Sequence, residues 1–569
     1  MKRNENSTSA AMLHIAIEGM TCDHCATEIE HLLAAKDGIT SVHIRYSEAT
    51  GQCTFDPSKT SKEAILKTIN STANYKARPM DKDTKNEPSS GKNTKGVGVY
   101  DLIIIGGGSA AFSAAIKAES LGLTTLMVNA GLDIGGTCVN VGCVPSKILV
   151  RAAETVYRAT HSNFEGISPK GVDFDFAQII QNKNKLVASL QKKKYLDVVS
   201  DFKNLTILKG WATFIDNNTI IVNHNTQYTA SKFLLATGSA TNIPDIEGLQ
   251  QIDYLTHSSL FNLEVKPESL TIMGAGYVAL EIAMAYNRLG VPVRMIQFTD
   301  RVLRTQTPDI SEALETQMRE EGIEILPNYR AIKFEKHGTE TIIHCQCPDG
   351  SMLKIVEKGK VLVATGTKPN TQPLGLQNTN IKLQETGHII VTERMETNLS
   401  HIYAAGDCAN TPAFVYTAAL EGKIAIENAF STSSDGGTKV DYTSIPWVVF
   451  TDPQIAGAGM DELEAEKAGI PFEISKLDLI HLPRALAAQD TRGFIKLIRN
   501  PKTDILIGAR VVAPEGGELI QSLSMAIKYG ISVKDLADNF YPYLTLGEGI
   551  KLAAITFGKD VSKLSCCAS

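Results

Sequence analysis

A strand, a glycine turn and a helix of small residues follow one another twice in this chain of 569 residues. The residues of the two turns are Gly106, Gly108 and Ala111 in LIIIGGGSAAFSAAIKA, and Gly274, Gly276 and Ala279 in LTIMGAGYVALEIAMA. Glycine is required where the backbone turns tightly and where a pyrophosphate must touch the main chain, and the amino end of the next helix favours the negative charge. Each copy therefore predicts one dinucleotide-binding unit.

The segments around these units predict an α/β fold of several domains, because a chain of this length exceeds what one hydrophobic core holds. We expect two Rossmann-like nucleotide-binding domains, followed by an α+β domain and preceded by a ferredoxin-like βαββαβ domain. The strand at IYAAGDC is expected to return the chain to the first nucleotide-binding domain. The expected segments are the βαββαβ domain at 1–80, a polar flexible linker at 81–98, the first nucleotide-binding domain at 99–265 and 367–443, the second at 266–366, and the α+β domain at 444–569.

Composition narrows the possible functions. A net charge of −6 without a dense Lys or Arg face argues against a nucleic-acid binder. The amino-terminal stretch has no apolar core of signal-peptide length, and no run of about 18 apolar residues occurs. Ten cysteines are too few for a disulfide scaffold in so long a chain, so close pairs among them indicate redox or metal chemistry in a reducing cytosol. We therefore expect a cytoplasmic protein.

The segment GGTCVNVGCVPSK places Cys138 and Cys143 on either side of a turn, with four residues between them. A helix is expected to start near Pro145, and the amino end of a helix lowers the pKa of a nearby thiol. Because the spacing permits a reversible disulfide, the two cysteines are the expected redox pair.

Two further thiol pairs lie near the ends of the chain. Cys22 and Cys25 in GMTCDHC stand where a loop enters a helix that is expected to run to Gly38, so two thiolates can converge on one metal ion. Cys566 and Cys567 are adjacent, with Cα atoms about 3.8 Å apart, closer than relaxed disulfides allow. They predict a two-thiolate clamp for a soft metal ion, of which Hg(II) is the softest common candidate. The alternative for Cys22 and Cys25 is a thioredoxin-like redox pair, and the alternative for Cys566 and Cys567 is an inert tail.

The residue that holds a ribose hydroxyl usually follows the glycine turn by about 20 positions and is acidic. Asn129 occupies the first such position, where an amide can still hydrogen-bond a hydroxyl, and Gln297 occupies the second. An acid at the second position would repel a ribose 2′-phosphate, whereas Arg301 and Arg304 would bind one. NADPH is therefore expected rather than NADH, unless these arginines only cover a solvated surface.

These segments, with two apolar strands that end in Ala-Thr-Gly and with AAGDC, resemble the pyridine nucleotide–disulfide oxidoreductase family from about residue 99 to the end. The GMTCDHC segment resembles the heavy-metal-associated domain. The resemblance implies FAD at the first turn, NADPH at the second, and a dimerisation domain at 444–569. The implied FAD-site residues are Gly106, Gly108, Ala111, Gly131, Thr137, Lys147, Ala212, Asp407 and Val415, and those of the NADPH site are Gly274, Gly276, Ala279 and Arg301.

The same resemblance implies roles at the redox pair. Cys143 would lie against the flavin as the charge-transfer thiolate, and Cys138 would be the exchanging thiol. Lys147 resembles the lysine near the reactive nitrogen of the flavin, and Glu281 resembles its ion-pair partner. Tyr277 resembles the tyrosine that covers the nicotinamide pocket until the cofactor arrives.

The substrate differs among members of this family. Disulfide reductases carry a carboxy-terminal His-Pro-Thr segment whose His protonates the leaving thiol, whereas this chain has Tyr541-Pro542-Tyr543. A phenol, with an ordinary pKa of about 10, is a poor proton donor to a thiolate at neutral pH. With the three thiol pairs, this substitution indicates the family member that reduces Hg(II), in which the terminal pair belongs to the partner subunit of a homodimer.

The expected activity is therefore the NADPH- and FAD-dependent reduction of thiolate-bound Hg(II) to Hg(0). The alternatives are a disulfide reductase for glutathione, lipoamide or thioredoxin, and a protein that stores metal without turnover. The residues expected to contact the metal are Cys22, Cys25, Cys138, Cys143, Cys566 and Cys567, with Tyr195 and Tyr543, which match tyrosines along the path of the metal in the family member.

The remaining cysteines carry weaker signals. Cys345 and Cys347 are expected on one face of a strand, as surface thiols or as a further metal site. Cys53 and Cys408 are expected to be small packing residues.

Overall fold

The computed structural model describes residues 11–18, 20, 23–34, 36–45, 50–72, 75–80, 98–431 and 436–560. Cys22, Cys566 and Cys567 lie outside these ranges, and of Cys25 only the backbone is described. The chain divides into two compact units. The first unit consists of Met1–Asn140, Gln191–Ser239 and Pro369–Lys439, and the second of Val141–Leu190, Ala240–Lys368 and Val440–Ser569.

The strands of the described chain are β1 (Ala11–Glu18), β2 (Ile39–Arg45), β3 (Thr50–Phe55), β4 (Lys76–Pro79), β5 (Gly98–Ile105), β6 (Thr125–Asn129), β7 (Leu205–Lys209), β8 (Ala212–Phe214), β9 (Thr219–Val222), β10 (Thr226–Leu235), β11 (Ser239–Thr241), β12 (Tyr254–Leu255), β13 (Leu270–Met273), β14 (Val293–Gln297), β15 (Glu324–Pro327), β16 (Arg330–His337), β17 (Glu340–Gln346), β18 (Met352–Glu357), β19 (Lys360–Val363), β20 (Thr367–Pro369), β21 (Ile402–Ala404), β22 (Trp447–Val449), β23 (Gln454–Gly459), β24 (Glu473–Asp478), β25 (Phe494–Arg499) and β26 (Leu506–Ala513). The α-helices are α1 (Asp23–Ala34), α2 (Lys62–Asn70), α3 (Ser109–Ser120), α4 (Gly136–Asn140), α5 (Cys143–Thr160), α6 (Phe176–Gln191), α7 (Asp197–Val199), α8 (His257–Leu260), α9 (Tyr277–Arg288), α10 (Pro308–Glu320), α11 (Val415–Ala429), α12 (Glu462–Lys467), α13 (Pro483–Ala487), α14 (Gly516–Lys528), α15 (Val533–Asp538) and α16 (Glu548–Ile555). A single turn of π-helix, Lys192–Leu196, separates α6 from α7.

The amino-terminal domain lies in the first unit and has the βαββαβ order that its sequence predicts. Its four-stranded sheet runs β2-β3-β1-β4, with β1 antiparallel to both β3 and β4. Ile15, Ile29 and Ile65 are fully buried between the sheet and the two helices. The prediction that α1 runs to Gly38 is wrong: it ends at Ala34, and Gly38 takes a φ of +89° in the turn before β2, a conformation that ends helices.

A seven-stranded sheet forms the core of the rest of the first unit. β7, β6, β5 and β10 are parallel, β21 joins β10 in parallel, and β9 and β8 form an antiparallel extension. The pairing of β21 with β10 brings the AAGDC segment back to this sheet. α3 and α11 pack closely, because a Cβ atom on Gly422 would come within 2.1 Å of the Ala110 carbonyl oxygen.

The second unit contains another parallel sheet, in the order β12-β19-β13-β14-β15, and a three-stranded antiparallel sheet, β16-β17-β18. The second glycine turn joins β13 to α9, whose Leu280 and Ala283 are fully buried. These side chains share one apolar cluster with Leu149 and Ala153 of α5, so α5 is fixed against α9.

The carboxy-terminal part of the second unit has the α+β character that its sequence predicts. Its antiparallel sheet runs β22-β23-β26-β25-β24, and α14 packs against β23 and β26. The short helix α16 contacts β24 and β25. Within the described ranges, no helix is long and apolar enough to cross a membrane.

Candidate active site

The first glycine turn, in the first unit, has the close backbone packing expected of a pyrophosphate cradle. Gly106 has a φ of +135°, and a Cβ atom there would lie 2.1 Å from the Ala236 carbonyl oxygen. Gly108 is the N-cap of α3, and a Cβ atom on Gly136 would lie 2.7 Å from the Cα atom of Gly108. The main chain of α4 therefore lies against the amino end of α3, and these residues fit the pyrophosphate of FAD.

Asn129, the last residue of β6, stands where an acid usually holds the ribose. Its amide nitrogen donates to the Leu132 carbonyl oxygen at 2.9 Å. Its amide oxygen faces Gly107, because a Cβ atom at Gly107 would lie 2.5 Å from that oxygen. The amide is thus oriented by the segment after β6, and its oxygen lies beside the glycine turn.

Asp407 lies three residues after the end of β21 and accepts a hydrogen bond from the Ser239 hydroxyl at 3.0 Å. The neighbouring Gly406 N–H donates to the Glu421 carboxylate at 2.7 Å, and Thr411 donates to the same carboxylate at 3.1 Å. Glu421 is fully buried on α11. Sequence reasoning missed this residue, although a carboxylate within the apolar helix α11 was a usable signal.

The other predicted flavin-site residues of the first unit lie on several elements. Gly131, with a φ of +74°, follows β6, and Thr137 is exposed on α4, one residue after Gly136. Ala212 is buried on β8, in the same apolar cluster as strand β5. Val415 is the first residue of α11.

The two central cysteines belong to different helices. Cys138, in the first unit, lies on α4 and is partly buried. Cys143, in the second unit, is exposed and is the first residue of α5, whose N-cap is Gly142. The predicted helix start near Pro145 is confirmed: α5 begins two residues earlier, so Pro145 lies within the first turn, where a missing N–H costs no intrahelical bond.

Lys147, on the second turn of α5, forms the ion pair that the family resemblance implies. Its Nζ atom lies 2.5 Å from an oxygen of Glu281, and it lies 4.3 Å from the centre of the Phe450 ring. The Phe450 N–H donates to the other Glu281 oxygen at 2.9 Å. Because Glu281 is buried on α9 and held from two sides, the lysine cation has a fixed position. Sequence reasoning missed Phe450.

Tyr277 begins α9, directly after the second glycine turn. Its ring stacks on Trp447 with centroids 5.8 Å apart, and its hydroxyl accepts a hydrogen bond from Gln306 at 3.3 Å. Gly274 has a φ of +108°, and a Cβ atom there would lie 2.4 Å from the Ala364 carbonyl oxygen. The space in front of Gly276 is open within 4 Å. The turn, completed by Ala279, therefore fits a second dinucleotide.

The loop after β14 carries the predicted phosphate-binding arginines. The Arg301 guanidinium donates to Asp300 at 3.0 Å and to the carbonyl oxygens of Arg304 and Gln306 at 3.3 Å. Arg304 has an exposed side chain, whereas Gln297 is buried and donates to Thr299. Arg301 therefore shapes this loop, and Arg304 presents its charge to solvent.

The three tyrosines of interest differ in environment. Tyr195 is partly buried on the π-helix turn, with its ring 4.9 Å from that of Phe112. Tyr543 is exposed over 54% of its area. Tyr541, at the position of the histidine in disulfide reductases, is partly buried, and burial raises the pKa of its phenol.

The remaining cysteines are packing residues in most cases. Cys53 and Cys408 are fully buried, which confirms the prediction. The prediction of surface thiols is wrong for Cys345, which is fully buried on β17, where burial raises the pKa of its thiol to about 11. Cys347 follows β17, and its N–H donates to the Ser351 carbonyl oxygen at 2.8 Å.

Family models match three parts of the chain. The pyridine nucleotide-disulphide oxidoreductase model matches residues 100–422, its dimerisation domain matches 445–554, and the heavy-metal-associated domain matches 14–76. Among solved structures, the Cu(II) complex of HOCl-induced flavoprotein disulfide reductase RclA from Escherichia coli has a TM-score of 0.72 and 26% identity, and the match covers 81% of this chain and 100% of that one. Fold and site thus define a flavoprotein oxidoreductase that uses FAD and NAD(P)H and carries a dimerisation domain.

Proteins with similar sequences indicate which member of this oxidoreductase class the chain is. Mercuric reductase from Staphylococcus aureus is 39% identical over 557 residues, which cover 97% of this chain and 98% of that protein. Mercuric reductase from Streptomyces lividans is 41% identical over 475 residues, which cover 82% of this chain and 98% of that protein. The chain belongs to the mercuric reductases of the pyridine nucleotide–disulfide oxidoreductase family.

Proposed function

We propose that this protein uses NADPH to reduce thiolate-bound Hg(II) to Hg(0). The observation that favours a metal substrate over a disulfide is Tyr541, which replaces the proton-donating histidine of disulfide reductases. Burial raises the pKa of this phenol above its ordinary value. A phenol with a raised pKa does not protonate a leaving thiolate at neutral pH, so the site is poorly suited to disulfide reduction. Hg(II) reduction has no such requirement, because the metal leaves once it no longer binds thiolate.

The proposed path of the metal is a series of thiol exchanges in which Hg(II) is never free. The amino-terminal pair Cys22/Cys25, or cellular thiols, supplies the metal. The pair Cys566/Cys567 of the partner subunit in a homodimer takes it up and passes it to Cys138 and Cys143, along a path that includes Tyr195 and Tyr543. Thiolates suit this role because soft ligands select soft metals and exchange readily.

The residues around the inner pair have separate roles in this proposal. Cys143 binds the metal as a thiolate at the amino end of α5, where the helix dipole favours negative charge. Lys147, held by Glu281 and Phe450, places a positive charge on α5 one turn beyond the Cys143 thiolate. FAD and NADPH, when bound, supply the two electrons that convert Hg(II) to Hg(0).

Substrate specificity is tested by NADPH oxidation with the FAD-loaded enzyme. Hg(II) in excess thiol is expected to support turnover, whereas oxidised glutathione, lipoamide and thioredoxin disulfide are expected to support little. The similarity to a flavoprotein disulfide reductase makes the disulfides the necessary comparison. Turnover with a disulfide and none with Hg(II) would contradict the proposal. NADPH that stays unoxidised with every substrate would instead identify a metal-storage protein.

The preference for NADPH is expected to depend on Arg304. Arg304→Gln removes an exposed charge that fits a ribose 2′-phosphate, so KM for NADPH should rise about tenfold to a hundredfold, with little change for NADH. Arg301→Gln should weaken both nucleotides, because its guanidinium holds the loop carbonyl oxygens. Steady-state kinetics with both nucleotides test this, with the exposed Arg330→Gln as the matched control. Equal losses for NADPH and NADH in Arg304→Gln would remove the 2′-phosphate assignment.

A further inference from the structure

The turn that carries Tyr195 has an unusual backbone. Lys192–Leu196 is π-helical, and the Asp197 N–H donates to the Lys192 carbonyl oxygen, five residues back. The Lys192 side chain also pairs with both carboxylate oxygens of Asp197, at 2.6 and 2.9 Å. In an α-helix such pairs form three or four residues apart, so the wide turn brings this pair together. A π turn adds one residue, which rotates the subsequent residues by about 100° around the helix axis.

The start of this turn is tied to the segment around α4, the helix that carries Cys138. Gln191, the N-cap of the π turn, donates through its side-chain nitrogen to the Ile134 carbonyl oxygen at 3.1 Å and to the Asn140 side-chain oxygen at 3.4 Å. Asn140 in turn donates to the carbonyl oxygens of Asp133 at 2.8 Å and Gly136 at 3.0 Å. Gln191 and Asn140 therefore join both ends of the segment around Cys138 to the π turn.

The end of the turn is held by ring packing. The Tyr195 ring meets Phe112 edge-on, with centroids 4.9 Å apart and planes at 81°. Phe112 is buried on α3, the helix of the first glycine turn. The Cys138 segment also passes close to the ring, because a Cβ atom on Gly135 would lie 3.6 Å from it, at ordinary van der Waals distance. The ring therefore lies close to both α3 and the Cys138 segment.

We propose that Gln191 and Phe112 are positioning residues that fix Tyr195 beside the Cys138 segment, so that the phenol is in place when the metal reaches the inner thiols. This inference rests on the proposed function, because it assumes that Tyr195 lies on the path of the metal. Neither side chain is required to touch the metal. Both act through the orientation of the π turn, to which Gln191 is joined at the start and Phe112 at Tyr195.

The test is a double-mutant cycle in the FAD-loaded, full-length enzyme. Gln191→Leu removes both hydrogen bonds and should lower kcat/KM for an Hg(II) dithiolate about fivefold to tenfold. The flavin spectrum and the rate of flavin reduction by NADPH should stay unchanged, which a general structural defect would not allow. In a Tyr195→Phe background, Gln191→Leu should have little further effect, because the two residues act as one unit. Gln178→Leu, exposed on α6, is the matched control and should resemble the wild type.

Phe112→Leu keeps the site apolar and supplies a second variant if Gln191→Leu does not fold. It should give the same loss and the same coupling to Tyr195. Two results would overturn the positioning role. In the first, neither Gln191→Leu nor Phe112→Leu loses turnover. In the second, each variant loses as much turnover in the Tyr195→Phe background as in the wild-type background. Absence of Hg(II) turnover in the wild type would overturn the proposed function itself, so the two failures are distinct.

Discussion

Cys143→Ala is expected to abolish Hg(II)-dependent NADPH oxidation while FAD stays bound. The thiol is exposed at the first residue of α5, and its removal leaves the inner site with one sulfur instead of two. We expect FAD to stay bound because its proposed contacts at the first glycine turn and at Asp407 lie on elements other than α5. Steady-state turnover and the flavin spectrum of the purified variant measure both effects. The long-wavelength absorbance that reduction produces should be lost as well.

The matched control for this variant is Cys347→Ala, which removes a partly buried thiol from the turn after β17. We expect wild-type turnover and the wild-type spectrum from it. Long-wavelength absorbance that persists in Cys143→Ala would show that another group is the thiolate beside the flavin.

Cys566→Ala/Cys567→Ala is expected to cripple turnover when Hg(II) is presented as a bulky dithiolate. In the proposed homodimer, FAD and the partner subunit cover the inner pair. We therefore expect a large complex to pass its metal through an intermediate ligand, which the adjacent thiols of Cys566 and Cys567 would supply. A small dihalide complex can reach Cys138 and Cys143 directly, so its reduction should survive better. Stopped-flow turnover of wild type and variant with both mercury complexes measures the difference.

Reduction of the bound flavin by NADPH, without mercury, is the control for this double variant. It should proceed at the wild-type rate. Equal losses with dithiolate and dihalide would remove the case for delivery by the tail. No loss with either complex would mean that Cys566 and Cys567 are inert.

Short-range patterns made much of the fold predictable. A strand, a tight glycine turn and a helix follow one another within about a dozen residues in each copy. The turns at Gly106 and Gly274 could therefore be predicted from the sequence. Lys147 lies one turn beyond Cys143 in the sequence, and only the family resemblance connected it to Glu281. The βαββαβ sequence of strands and helices in the amino-terminal domain followed from its alternation of strand and helix patterns.

Contacts between distant segments were not predictable in the same way. The Phe450 N–H reaches Glu281 from a strand end far along the chain, and a backbone donor leaves no mark in the sequence. Glu421 binds the Gly406 N–H, and its role emerges only when α11 and β21 are packed together. The π turn at Tyr195 has the composition of an ordinary helix, so no residue type indicates it. Cys345 alternates with Cys347 in sequence, but only the packing of β17 determines which thiol is buried.

The most direct test of the central claim is the stoichiometry of the reaction. The FAD-loaded enzyme is supplied with NADPH and Hg(II) in excess thiol, and volatile Hg(0) swept from the solution is measured against NADPH consumed. We expect one Hg(0) for each NADPH, because the hydride from NADPH carries two electrons and the reduction of Hg(II) to Hg(0) consumes two. NADPH consumption without release of Hg(0), or Hg(II) that stays bound to the protein, would contradict mercury reduction as the function of this chain.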